Sequence, residues 1–378
     1  MRRFALLLIF PLLLALAACG ADMGEKEQVE RPLPPAPKRA EELYAAELIA
    51  EMTLDEKVGQ LFLCRCPQVN SLSDITTYHL GGYVLFGRDF AGRSPAELQQ
   101  VLADYQAEAK LPLIIATDEE GGGVVRASAY KQYREQPFAS PQRIYAEGGF
   151  AAIAADAAEK AQLLLGLGIN VNLSPVADVS AESSYMGGRS FSDDADLTGE
   201  FVRTVVDEYE AAGLGAVLKH FPGYGDNVDT HESAATDTAD WEDYLNLHLQ
   251  PFIAGIEAGA DAVLIAHNTV TCMDEQNPAS LSQAVHMLLR EGLDFDGVII
   301  CDDLKMDAIE EHYSIEEAAV QAILSGNDML CCSDYHRQIP AVIEAVYQGR
   351  IAEARLDESV QRVLLWKMQL GLIEVPQK

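Results

Sequence analysis

The sequence predicts one (β/α)8 barrel, and three observations carry that expectation. From Ala40 onward, eight short apolar runs alternate with helical stretches. The runs are β-branched or Leu-rich with little polar alternation, which is how strands buried on both faces read. Five of the eight end in charged or titratable groups: Asp118, Asp178, Lys219-His220, His267 and Asp302-Asp303. Barrel chemistry sits at the C-terminal ends of the strands, so a convergent polar site at one mouth is expected. A doubly wound open sheet is the alternative. It lacks its usual mark, because no run is followed by a Gly-x-Gly-x-x-Gly turn and Gly121-Gly122-Gly123 has the wrong spacing.

The runs, in order, are Leu61–Arg65, Gly82–Phe86, Leu113–Asp118, Val171–Val179, Ala216–Phe221, Ala262–His267, Val298–Leu304 and Met329–Ser333. Between them, Pro95–Lys110 reads as a helix with Ser94 as its N-cap. Further helices are expected over Phe150–Leu167, Leu197–Ala212, Trp241–Ala258, Ser282–Glu291 and Ile315–Leu324, then over Ile339–Gln348 and from Asp357 to about Leu370. Besides Cys19 there are six cysteines, Cys64, Cys66, Cys272, Cys301, Cys331 and Cys332, mostly in apolar runs, and buried free thiols are expected. A closed barrel makes its first and eighth strands neighbours, so Cys331 or Cys332 should lie near Cys64 or Cys66.

Residues 1–19 stand apart. Arg2 and Arg3 precede an uncharged apolar run, Phe4 to Ala18, that is short for a membrane span. It ends Leu16-Ala17-Ala18-Cys19, which resembles the lipobox of bacterial lipoproteins. The mature protein is then expected outside the cytoplasm, held to the membrane only by a lipidated Cys19. Residues 20–40, with Pro32, Pro34, Pro35 and Pro37, read as a flexible tether, and residues 41–378 as the (β/α)8 domain. The formal charge is −32 with no basic cluster, so nucleic acid is excluded as a partner.

Asp302 ends the apolar strand Val298-Ile299-Ile300-Cys301. A carboxylate at that mouth position is partly desolvated and must be paired or used. Asp303 faces the other way and suits capping of the next turn. Lys219 and His220 end the fifth strand, Phe221-Pro222-Gly223 turns the chain, and a polar loop follows that carries Asp229 and His231. A carboxylate two residues from an imidazole can fix its tautomer and raise its basicity, and such a histidine can give a proton and later take one back. Asp229, His231, His220 and His267 are also suitable metal ligands, but there is no metal-binding motif, and neither metal nor cofactor is implied. Glu119, Arg126 and Arg189 complete the candidates; both arginines sit beside glycine turns where an oxygen-rich ligand can approach.

Met52-Thr53-Leu54-Asp55-Glu56-Lys57-Val58-Gly59-Gln60, Asp118-Glu119-Glu120-Gly121-Gly122, Gly188-Arg189-Ser190-Phe191, Lys219-His220-Phe221-Pro222-Gly223, Pro278-Ala279-Ser280-Leu281-Ser282 and Asp302-Asp303-Leu304-Lys305-Met306 occur in that order. From about Ala40 onward the chain resembles family 3 glycoside hydrolases, in particular their β-N-acetylglucosaminidase branch. The resemblance implies a retaining mechanism through a covalent glycosyl-enzyme. It implies Asp302 as nucleophile, His231 as acid/base with Asp229 as its partner, and Asp118, Arg126, Arg189, Lys219 and His220 as sugar-holding groups. One departure stands out: the family usually reads Lys-His-Phe-Pro-Gly-His-Gly-Asp, and here Tyr224 replaces the second histidine.

The expected function is exo-acting removal of terminal N-acetylglucosamine from glycans such as peptidoglycan fragments, by a monomer. A β-glucosidase, a β-xylosidase or a phosphorylase on the same fold is the alternative enzyme reading. A non-catalytic lipoprotein that binds muropeptides is the alternative outside enzymes.

Overall fold

The computed structural model describes residues 39–180, 186–225, 235–310 and 312–376. Eight parallel strands are present: β1 (Phe62–Arg65), β2 (Gly82–Leu85), β3 (Ile114–Thr117), β4 (Val171–Asn172), β5 (Gly215–Phe221), β6 (Ala262–Ile265), β7 (Val298–Cys301) and β8 (Met329–Cys332). Each pairs with its neighbours in sequence, and β1 also pairs with β8, Phe62 opposite Leu330 and Cys64 opposite Cys332, so the sheet closes. The predicted (β/α)8 barrel is the observed fold.

Successive residues of a strand face opposite ways, and here that alternation separates two cores. Leu63, Val84, Ile114, Ala116, Val171, Val217, Ala262, Leu264, Val298, Ile300 and Met329 fill the barrel. Their neighbours Cys64, Tyr83, Ile115, Leu218, Val263, Ile299 and Leu330 pack against the surrounding helices. Val363 and Trp366, from the last helix (Glu353–Gln369), join the interior cluster. Gly215, which opens β5, lies against Trp366 and Leu370, so this helix closes the N-terminal end of the barrel. Lys367 on the same helix is buried and donates to Gln60 Oε1 at 2.6 Å, and burial pushes its ammonium down to about 7.

Most element assignments survive with shifted ends. Ser94 caps Pro95–Glu108 through a reciprocal pair: its Oγ accepts from the Glu97 amide, and its own amide donates to Glu97 Oε2 at 2.7 Å. The same device, Thr53 with Glu56, starts a helix over Leu54–Gln60 that the sequence reading left out. Ala40, given to the tether, instead begins the helix Ala40–Glu51, whose first turn carries Glu41 and Glu42, where the helix dipole favours negative charge. Arg39 precedes that helix, and the rest of the tether, residues 20–38, and Cys19 lie outside the described residues.

The expected helix Ser282–Glu291 divides into an α-helix Gln283–Met287 and a π-helical turn Leu288–Gly292. Two further corrections are larger. The stretch Trp241–Ala258 is not one helix: a short turn Trp241–Asp243 leads into a π-helical turn Tyr244–His248 and then a helix Gln250–Glu257. Pro251 has no N–H to give the carbonyl of Leu247, and the chain widens just before it. The fourth run forms a strand only over Val171–Asn172. Pro175 cannot donate to a ladder, and the chain continues past it with irregular contacts, including Lys219 N to Pro175 O and Ala177 N to Lys219 O. That irregular path carries Asp178 to the end of β5.

Cys64 Sγ and Cys332 Sγ are 3.6 Å apart, where the closed barrel places them, and the six described cysteines are free thiols. Among the described residues no helix is long and apolar enough to cross a membrane.

Candidate active site

The interior alternation, carried one step past the apolar layers, turns charged. Arg65 follows Leu63, Asp118 follows Ala116, Lys219 follows Val217 and Asp302 follows Ile300, each at an inward position at the C-terminal rim. Phe86, next inward after Val84, packs against the interior cluster. The barrel thus places four charged groups above an apolar floor without any special local motif.

Lys219 is the hub. It is 2% exposed, and its ammonium lies 2.7 Å from Asp118 Oδ1 and 2.6 Å from Glu120 Oε1. Glu120 also takes two hydrogen bonds from Arg189, Nε to Oε2 at 3.0 Å and Nη2 to Oε1 at 2.7 Å. Burial alone pushes the Glu120 carboxyl up, but the Lys219 and Arg189 charges outweigh it and hold the group well below the usual carboxylate range. Burial pushes the Lys219 ammonium down, and Asp118 and Glu120 more than reverse that, so its proton is held above the ordinary value.

β5 pairs with β6 through Lys219 opposite Leu264 and then Phe221 opposite Ile265, leaving His220 as the extra residue of a bulge. A bulge re-aims side chains, so Lys219 and His220, adjacent in sequence, join one network. Arg189 Nη2 lies 3.2 Å from His220 Nε2, and His220 Nδ1 lies 2.7 Å from Asp178 Oδ2. Arginine can only donate, so Nε2 accepts and Nδ1 carries the proton given to Asp178. Asp178 further accepts the amides of His220, at 3.1 Å, and Tyr224, at 2.7 Å. Tyr224, the departure in the motif, is buried with Val176, Met186 and Ala266, and its ring meets His220 edge-on at 5.4 Å.

Asp118 has a second, looser partner in Arg126 Nη2 at 3.5 Å. Arg126 is placed by the turn after β3. Gly121 has φ 103°, and a Cβ there would sit 2.3 Å from the carbonyl oxygen of Ala139, so only glycine fits. Glu119 is fully buried and accepts the amides of Arg126 and Ala127 at 3.0 and 2.8 Å, holding this loop. Glu119, a candidate from sequence, therefore shapes the loop, and Glu120 is the carboxylate that faces the cations. Sequence reasoning missed Glu120 although the signal was available: adjacent strand-end residues alternate, so Asp118 and Glu120 share a side. Asp178 was noted as a strand end but given no role.

Asp302 is half-buried. Its amide donates to Ile265 O at 3.0 Å, and its Oδ1 accepts the Asp303 amide at 2.8 Å. Asp303 caps the following turn, accepting from the Lys305 amide at 3.1 Å and from Ser333 Oγ at 2.5 Å. His267 braces this turn: Nε2 donates to Asp303 O at 3.0 Å, which leaves Nδ1 to accept from Ser280 Oγ at 2.7 Å. His267 and His220 thus have both ring nitrogens engaged, which takes them out of the candidate metal-ligand set. Among the described residues no His, Cys, Asp and Glu side chains are grouped to hold a metal. Asp229 and His231 lie outside the described residues.

Residues 53–365 match the glycosyl hydrolase family 3 N-terminal domain. The chain belongs to glycoside hydrolase family 3. A beta-hexosaminidase of Xanthomonas campestris pv. campestris is 37% identical over 238 residues, covering 61% of this chain and 70% of that protein. A family 3 beta-N-acetylglucosaminidase from a Paenibacillus species superposes with TM-score 0.79 at 33% identity, covering 86% of this chain; this family 3 chain spans only 65% of that one. A beta-N-acetylhexosaminidase from Beutenbergia cavernae gives TM-score 0.72 at 30% identity, covering 83% of this chain and 98% of that one.

Replacing Glu120 by glutamine tests the hub of this family 3 site. The variant keeps the shape but leaves Lys219 and Arg189 one negative charge short, which for a buried pair costs on the order of 3 kcal/mol. A lower melting temperature at pH 7 and a reduced kcat/KM are expected. A folded carboxyl held below its unfolded value of 4.5 stabilises fully above that pH and less as pH falls through and below it. The melting temperature of the wild type should therefore drop more steeply below pH 4.5 than that of Glu120→Gln. Parallel curves in a pH series of melts would contradict the assignment.

Proposed function

We propose that the protein is a retaining, exo-acting β-N-acetylglucosaminidase. The observation that carries this reading is the placement of Asp302 in the inward rim layer that also holds Asp118 and Lys219, in a family 3 chain whose relatives are named hexosaminidases. In the first step the Asp302 carboxylate attacks the anomeric carbon, and the bond to the leaving oxygen breaks as His231 protonates that oxygen. In the second step His231, its tautomer set by Asp229, takes a proton from water. The water oxygen then displaces Asp302, restoring the original anomeric configuration. Asp118, Lys219, His220, Arg189 and Arg126 hold the sugar hydroxyls and the acetamido group. Their mutual ion pairs preset them, so little reorganisation is left for the reaction.

The substrate class is a glycan with terminal N-acetylglucosamine, with peptidoglycan fragments as its source. The support is the lipobox-like Leu16-Ala17-Ala18-Cys19 and the Pro-rich segment after it, which give a membrane-held domain outside the cytoplasm. All the proposed site residues belong to this one chain, in keeping with a monomer.

Wild type is expected to hydrolyse an aryl β-N-acetylglucosaminide faster than the matching glucoside and xyloside, with no need for phosphate. Asp302→Ala should lose at least roughly 10³-fold in kcat at an unchanged melting temperature. Equal rates for the two proteins would remove Asp302 from the mechanism. Cys19→Ser, fractionated from bacterial cells, is expected to leave the membrane fraction and keep its activity; retention at the membrane would refute the lipid anchor.

A further inference from the structure

Arg65 is the one rim charge that the proposed mechanism does not use. It ends β1 at an inward position, and its guanidinium lies over the ring of Phe86, Cζ 4.5 Å from the centroid. Among the described residues it makes no hydrogen bond or ion pair, and its Nε is buried without a partner. The other arginines around the mouth are committed: Arg189 to Glu120, Arg126 to Asp118, and Arg88 to the carbonyl of Cys66. Asp89, a carboxylate in this corner, gives its Oδ2 to the amide of Phe86.

Such a group is out of place in this chain. Asp and Glu number 59 against 27 Lys and Arg, so carboxylates are plentiful and an arginine finds one easily. Asp89 feels the charge of Arg65 but makes no hydrogen bond or ion pair with it. A partly desolvated guanidinium whose donors go unused is costly, and its planar fork matches a carboxylate. Lys219 already has two carboxylates around it, Asp118 and Glu120, and Glu120 also serves Arg189. Terminal N-acetylglucosamine is itself neutral. β1 also lies opposite β5 in the eight-strand order, away from Lys219 and His220. An anion that reaches Arg65 therefore belongs to the part of the substrate beyond the sugar held at β3 and β5.

We infer that Arg65, seated on Phe86, receives a carboxylate carried by the leaving-group side of the substrate. This rests on the N-acetylglucosaminidase reading and adds a specificity element to it: glycosides with an acidic aglycone are preferred over neutral ones. The acidic surface repels such substrates at long range, and one rim cation offsets that repulsion at the point of docking.

The test compares p-nitrophenyl β-N-acetylglucosaminide with its ring-carboxylated counterpart, for wild type, Arg65→Gln and Arg65→Lys, with melting curves to confirm folding. Wild type is expected to favour the carboxylated substrate in kcat/KM. Arg65→Gln should cut that preference by roughly 10-fold, mainly through KM, and Arg65→Lys should keep part of it. An unchanged ratio, or an equal loss on both substrates, overturns the inference. So does a phosphate-stimulated rate in wild type that Arg65→Gln abolishes, because Arg65 would then serve a free oxyanion. If wild type cleaves neither glycoside, the hydrolase reading fails, and calorimetric binding of the two glycosides still decides on Arg65. A carboxylate preference lost in Arg65→Gln upholds the inference, and no preference overturns it.

Discussion

A lysine ammonium shut away from water between two carboxylates organises this barrel mouth. Taking one such ion out of water carries an effective penalty of several kcal/mol, which a single attraction at short range only roughly balances. Lys219 has Asp118 and Glu120 within 2.7 Å, and Glu120 is fixed in turn by both arms of Arg189. The chain of contacts then runs from Arg189 to His220 and on to Asp178, which also holds the backbone of Tyr224. Removing one member leaves an uncompensated charge in a closed space, so the group stands or falls together.

The barrel supplies the frame in which such a cluster can exist. Interior positions are apolar through the lower layers and become charged only at the rim, where the strands end. The same alternation that buries Val298 and Ile300 presents Asp302, and the one that buries Val217 presents Lys219. A bulge at His220 adds a neighbour that strict alternation would have turned outward. Function at this mouth is therefore a property of register: a one-residue slip in β5 or β7 would exchange the rim charges for the residues that face the helices.

Much of this was legible in the sequence. Eight apolar runs bounded by polar ends fix the strand count, and charged residues at their ends locate the mouth. Ser94 announced its helix through a side chain that caps locally. The places where reading failed are those decided by contacts distant in sequence or by missing donors. The fourth strand stops early because Pro175 cannot join the ladder, and the helix near Pro251 breaks for the same kind of reason. Glu119 and Glu120 are chemically alike in sequence. Only the turn at Gly121 and Gly122, which brings the Arg126–Ala127 amides back to Glu119, assigns one to the loop and the other to the cations. Arg65 was unremarkable as a strand residue; that its donors find no partner is visible only once its surroundings are assembled.

Mass spectrometry after reaction with a fluorinated N-acetylglucosaminyl fluoride, in which breakdown of the intermediate is slowed, tests the account most directly. A retaining enzyme with Asp302 as nucleophile should gain the mass of one sugar unit, and peptide mapping should place it on the segment containing Val298 to Lys305. A substrate-consuming enzyme that shows no adduct, or carries it on another carboxylate, would contradict the account.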